Sequence, residues 1–296
     1  MKNASVFLAI FFIFGIFPMA FHSAESQAEE PLAVDDQTKT IEELMQVTGL
    51  KEQIALAPEF MAAGAMESMD NVNPQQAQDM QRIIKESYNG EKLSQGIEAH
   101  LKKNFDAKRY SLIIQQMQKP LAKKMVQMEI EAGRAESVKE RKAFEEELSR
   151  HPPDPERVAL ILRLLQATQT DQLTLKIQTE TSLQINKAIY ANQPGGSMAF
   201  PSDEEFRKNY QAESQVRMRE KTLISMLFDY RQATNEELKQ YAAIDETEEA
   251  RWFNQVVNDA LVEVMTEAAK EYGLRLADLL YPRTPPAPAS STSPIL

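Results

Sequence analysis

Cysteine does not occur among the 296 residues. Its absence excludes disulfide staples, thiol catalysis, thiolate metal sites and lipid attachment through an N-terminal cysteine, so packing alone must supply the stability. Glycine is sparse, at nine residues, and alternating strand patterns are nearly lacking, which argues against a turn-rich sandwich or barrel. Histidine is nearly missing too: His22, His100 and His151 are the three, each standing alone. Neither an H-E-x-x-H pair nor an EF-hand loop occurs, and no metal or other cofactor is expected. A G-x-S-x-G elbow, an S-x-x-K motif and a Gly-rich phosphate loop are also absent; Gly195-Gly196 follows a proline and reads as a hairpin turn. No residue therefore stands out as a catalytic, cofactor-binding or metal-ligating candidate.

Aromatics make up 7% of the chain and basic residues are outnumbered, 33 against 44 acidic ones. The formal charge of −11 repels phosphates and anionic lipid, and no lysine or arginine stripe interleaved with aromatics offsets it. The richest basic stretch, Lys119 to Lys124, holds three lysines around Pro120 and reads as a solvated helix end. Nucleic-acid binding is excluded on these grounds.

What is present begins with Lys2 and an uncharged run from Asn3 to Ala24, followed abruptly by acidic, polar sequence from Glu25. The apolar core, Val6 to Phe17, would be only about 18 Å long as a helix, against about 30 Å of hydrocarbon. Residues 1–24 are therefore read as a secretory signal peptide, with Pro18, Ala20, Ser23, Ala24 and Ala28 supplying several cleavage points. No stable membrane span is expected after cleavage, which takes the charge to −12 by removing Lys2. The sole N-x-S/T acceptor, Asn3-Ala4-Ser5, leaves with the signal, and a bacterial periplasmic or secreted setting fits best.

Ala, Leu, Glu, Gln, Lys and Met dominate the remainder, so an all-α fold is expected. Residues 25–39 read as a flexible lead-in, with order beginning near Thr40. From there the apolar residues Ile41, Leu44, Met45, Leu56 and Phe60 keep helical spacing, and Pro58 marks a new start. A second helix runs through Met80, Ile83 and Tyr88 to a left-handed stop at Asn89-Gly90. Helices at 92–103 and 106–118 follow. Pro120 opens a long helix to Arg150, whose charged second part reads as a solvated connector. His151-Pro152-Pro153-Asp154-Pro155 breaks the chain, so residues 40–150 form a first helical unit and 151–281 a second. The second holds a helix from Glu156 to about Ala191, capping pairs Ser202/Glu205 and Thr234/Glu237, and a helix from Glu248 to Tyr272 with apolar residues at Trp252, Val256, Ala260, Val264 and Ala268. The Pro- and Ser-rich stretch 282–296 is expected to be disordered.

The two halves share wording. An offset of 120 sets Leu44-Met45-Gln46-Val47-Thr48 on Leu164-Leu165-Gln166-Ala167-Thr168 and Ile41 on Ile161. An offset of 128 sets Asp106 to Tyr110 on Thr234 to Leu238, Ala122-Lys123 on Ala250-Arg251 and Met125 on Phe253. The chain is read as two diverged copies of one helical unit.

On these residues the chain resembles the bacterial secreted proteins grouped as domain of unknown function number twenty fifty-nine. Those proteins pair a leading amphipathic helix with an acidic helix start carrying Glu-Leu, a nearby aromatic, and a helix junction often written Ser-Pro-x-Gly-Lys. The first copy has Lys119-Pro120-Leu121-Ala122-Lys123 at that junction, keeping the proline and lysine and replacing glycine with alanine. The second has Glu236-Glu237-Leu238 and Tyr241, then Glu248-Glu249-Ala250-Arg251 without the proline. The resemblance spans Ile41 to Leu276 and implies a helical, exported protein of no assigned activity.

Two clusters carry further alternatives. Asp245, Glu246, Glu248 and Glu249 could hold a cation but stand at a helix start, where negative charge suits the dipole; Glu145-Glu146-Glu147 lies on the connector. Methionine is abundant, at 14 residues, with Met61, Met66, Met69 and Met80 close together, as core or as a groove for varied apolar partners. The expectation is a non-catalytic binding or scaffolding protein whose partner is a protein or another envelope component. The rivals are a holdase-type chaperone or carrier of apolar ligands, and a hydrolase of envelope polymers using paired carboxylates.

Overall fold

Three- and four-residue apolar spacing produces helices throughout, and the computed structural model describes residues 34–67, 73–194 and 200–282. The expected signal peptide, most of the lead-in, Met69, Gly195-Gly196 and the stretch from 283 onward lie outside the described residues. Among the described residues there are twelve α-helices and no strand: α1 Val34–Val47, α2 Leu50–Glu67, α3 Pro74–Ser87, α4 Gly90–Lys103, α5 Ala107–Met117 and α6 Pro120–Ala132. They continue with α7 Ser137–Arg150, α8 Pro155–Thr168, α9 Thr170–Asn192, α10 Asp203–Asp229, α11 Asn235–Asp245 and α12 Glu248–Leu280.

Several boundaries differ from the sequence reading, each for a local reason. Helix begins at Val34 rather than near Thr40; Asp36 stands in its first turn, where a carboxylate suits the dipole. The first break falls at Gly49, whose φ of +68° ends α1, and not at Pro58, which lies inside α2. Proline removes one helical N–H and leaves the carbonyl of Ile54 without its partner four residues on. Gly90 packs against that same carbonyl, and a Cβ there would come within 3.2 Å of its oxygen.

Asn89-Gly90 is accordingly a start and not a left-handed stop. The Asn89 side chain accepts from the N–H groups of Glu91 and Lys92 and caps α4, with Gly90 as the first helical residue. The long helix expected from Pro120 to Arg150 divides at Gly133. Side chains take up the freed carbonyls there: Ser137 Oγ donates to Ala132 O at 2.5 Å and Arg141 Nη2 donates to the same oxygen at 3.0 Å. The helix expected from Glu156 to Ala191 divides at Gln169, whose φ of +57° starts α9 afresh. The last helix runs on past Tyr272 to Leu280. The capping pairs fall where expected: Ser202 caps α10 through the N–H of Glu205, and Thr234 with Glu237 forms a complete capping box on α11.

Helix α1 packs on α5, α2 and α4, while α8 packs on α11, α9 and α10. Helix α2 lies against α3 and α4, and α9 against α10. The halves interlock rather than stand apart, because α6 reaches α10 and α11 while α12 reaches α3, α4 and α5. One continuous core runs through both, from Ile41 and Leu44 to Met265 and Leu276. Helix α12 is buried on more than one side, with Phe253, Val257, Leu261 and Met265 closed off together with Val256, Ala260 and Ala268. No helix among the described residues is long and apolar enough to cross a membrane.

Candidate functional site

The apolar face of α6 reads Ala122, Met125, Val126, Glu129, Ala132, and all five are buried. A carboxylate has therefore replaced a hydrophobic residue on a core-facing stripe, and a buried carboxylate must be hydrogen-bonded or neutral. Glu129 is 4% exposed. Its Oε1 accepts from the hydroxyls of Tyr230 at 2.6 Å and Tyr241 at 2.9 Å, and its Oε2 accepts from Gln53 Nε2 at 3.4 Å.

Each donor is held by the local chain. Tyr230 sits at the C-terminal cap of α10, where Arg157 donates to its carbonyl. Tyr241 lies on the inner face of α11, two turns from the Thr234 cap, and its ring meets that of Tyr230 edge-on with centroids 5.8 Å apart. Gln53 comes from the buried face of α2. The site thus gathers α2 and α6 from the first half with α10 and α11 from the second.

Burial pushes the Glu129 carboxyl up to about 8, against the pull of the three hydrogen bonds, and the neighbouring Asp229 pushes in the same direction. Burial, and next the negative charge of Glu129, raise both tyrosines well above the ordinary phenol range. At neutral pH the carboxyl is mostly protonated. With both tyrosines donating to Oε1, the proton belongs on Oε2, facing a Gln53 amide that can turn its oxygen to accept it.

Beside this cluster lies a charged pair. Arg141 of α7 donates from Nη2 to Asp229 Oδ1 at 2.5 Å, bonds Ser225, and stacks over the Phe228 ring at 4.6 Å. Burial raises the Asp229 carboxyl, while Arg141 draws it down. Farther along α11, Asp245 is fully buried and its Oδ1 meets Asn254 Nδ2 at 3.5 Å.

The acidic run singled out in the sequence does not converge. Asp245 ends α11 and turns inward, Glu246 pairs bidentately with Arg163 at 2.7 Å, and Glu248 and Glu249 occupy the first turn of α12. Among the described residues no group of three or more histidine, cysteine or acidic side chains is placed to hold a metal ion. His100 Nδ1 lies 3.2 Å from Glu263 Oε2, and His151 is exposed in its proline-rich turn. Glu145, Glu146 and Glu147 are exposed on α7, although Phe144 and Leu148 of that helix pack against the core. Met61 and Met80 are buried in the core and Met66 is half-buried.

The Glu129 cluster was missed by motif reading, because no recognised catalytic or metal pattern contains it. The available signal was a glutamate in the apolar register of α6, four residues after Met125 and three before Ala132. No family model, curated protein or solved structure matches this chain significantly.

Proposed function

We propose that this chain is an exported helical protein made of two diverged copies of one unit, acting in the bacterial envelope by binding or scaffolding rather than by catalysis. The observation that carries the reading is the matched pair of helix ends. Helix α1 finishes with Thr48, whose Oγ1 donates to Leu44 O at 2.7 Å, and α8 finishes with Thr168, whose Oγ1 donates to Leu164 O at 2.9 Å. A left-handed residue follows each threonine, and its carbonyl accepts the N–H four residues on, Gln53 to Gly49 and Leu173 to Gln169.

The same order continues at the second offset. Asp106 and Thr234 cap α5 and α11, which are 11 residues each. Lys119 and Thr247 stand at the N-caps of α6 and α12, and Ala122, Met125 and Ala132 are buried as are Ala250, Phe253 and Ala260. Packing partners correspond as well: α1 on α5 with α8 on α11, and α2 on α3 and α4 with α9 on the single long α10. The polar cluster marks divergence. At the offset of 128, Tyr241, Asp245 and Asn254 answer to Ile113, Met117 and Val126, while Glu129 answers to Val257.

Support for binding rather than catalysis comes from how polar groups are used. Arg163 with Glu246, Arg207 with Glu180, and Arg275 with Glu86 tie one helix to another, and the buried carboxyls join helices. The leading run Asn3 to Ala24 supports export. In-cell crosslinking followed by purification from osmotic-shock fluid tests the reading. A single envelope component recovered in constant ratio supports it; turnover of an envelope polymer by the pure protein, lost on substituting a carboxylate, overturns it.

A further inference from the structure

Among the described residues, the seam between the halves carries a buried carboxyl, Glu129, that is in no ion pair. The charged and titratable side chains around it include Arg157 of α8, which donates to the carbonyls of Tyr230 and Ala233, and Arg231, which lies near Asp229. Helix α2 contributes the neutral Gln53, α10 contributes Asp229 and Tyr230, and α11 contributes Tyr241 with Asp245 one turn on. Helix α7 contributes Arg141, whose guanidinium is committed to Asp229, Ser225 and the Ala132 carbonyl. On α6 itself, Lys124 faces outward to Glu237 at 2.5 Å. An ionised Glu129 would meet only three neutral donors in a closed site.

We propose that Glu129 is a proton-operated latch between the two halves: when neutral it closes the seam where α6 meets α10 and α11, and when ionised it loosens that seam. The geometry gives the latch both a lock and a direction. Tyr230 and Tyr241 converge on a single carboxyl oxygen from two different elements of the second half, so the cost of burying an ionised carboxylate, which the entry of water relieves, falls where the halves meet and not on one helix alone. Its ordinary value of 4.5 is raised to about 8 in the fold. The folded chain therefore keeps a proton that the unfolded chain releases. The stabilisation is fully present below the unfolded value, and is lost progressively as pH rises toward 8. Across that window the unfolding constant rises up to about tenfold per pH unit, roughly three-thousandfold in all.

The test uses the full mature chain and its Glu129→Gln variant, which keeps the shape and the tyrosine acceptor but cannot ionise. Urea unfolding between pH 5 and 9 should show the wild-type protein losing stability relative to the variant up to pH 8 and running parallel above it. Other carboxylates titrate equally in both proteins and cancel. At pH 8.5, amide exchange should be faster in wild type than in the variant along α6, the end of α10 and α11, with α3 unchanged. Carbon-13 titration of the Glu129 carboxyl in the wild-type protein needs no variant to fold, and Tyr241→Phe should move its midpoint further up by removing a donor. A midpoint near 4.5, parallel stability curves, or an exchange difference spread evenly over the chain would overturn the proposal.

Discussion

Gly49 and Gln169 hold the same left-handed backbone at the same place, one residue after a buried threonine that closes a helix. They are the two described residues with positive φ. Glycine adopts that conformation freely, whereas glutamine meets a steric penalty of about 1–2 kcal/mol. Gln169→Gly should therefore stabilise the protein by about 0.5–1 kcal/mol, since the side chain is exposed and little packing is lost. Gly49→Ala should do the reverse and cost more than about 1 kcal/mol, because its Cβ would also press on Val126 Cγ1 at 2.6 Å. Chemical denaturation of the two variants checks both signs.

Leu44 and Leu164 are each fully buried one turn before those threonines. Truncating a buried leucine removes its transfer energy and leaves a cavity, at about 2–5 kcal/mol. Leu44→Ala and Leu164→Ala should both fall in that range by urea unfolding. A variant that unfolds like the wild-type protein would remove that position from the core.

Arg141→Met should be more damaging than its exposure suggests. It leaves Asp229 buried without its cation, at a cost of about 3–5 kcal/mol. The loss should shrink as pH falls and the raised Asp229 carboxyl takes up a proton. Adding Asp229→Asn should recover much of it at neutral pH, and thermal unfolding of the single and double variants decides.

Export makes a separate prediction. The mature chain should begin between Phe21 and Glu29 and be released by osmotic shock. N-terminal sequencing of the shock fluid reads this directly; Met1 retained in a membrane fraction would make the leading segment an anchor.

The helical class and the larger breaks could be read from composition, capping residues and the proline run at 152–155. Single-residue breaks could not. Gln169 carries no left-handed signal in a sequence, and Pro58, read as a new start, lies inside α2 with the carbonyl it frees packed against Gly90. The division at Gly133 depends on Ser137 and Arg141 reaching back to the Ala132 carbonyl, a tertiary event. The polar seam was hidden for a similar reason. Glu129 stands in an apolar register, but its tyrosines lie 101 and 112 residues away, and only the interlocking of α6 with α10 and α11 brings them together.

The central claim is that the two halves are copies of one unit, and an experimentally determined structure tests it most directly through a register. Superposing residues 41–54 with 107–132 on 161–174 with 235–260 should bring all the paired helices together at once, with Leu44 on Leu164, Thr48 on Thr168 and Ala122 on Ala250, each in its own helical position. A superposition in which α1 and α5 fit α8 and α11 only after a slip of one turn, or in which α6 and α12 leave the fit in different directions, would contradict the duplication.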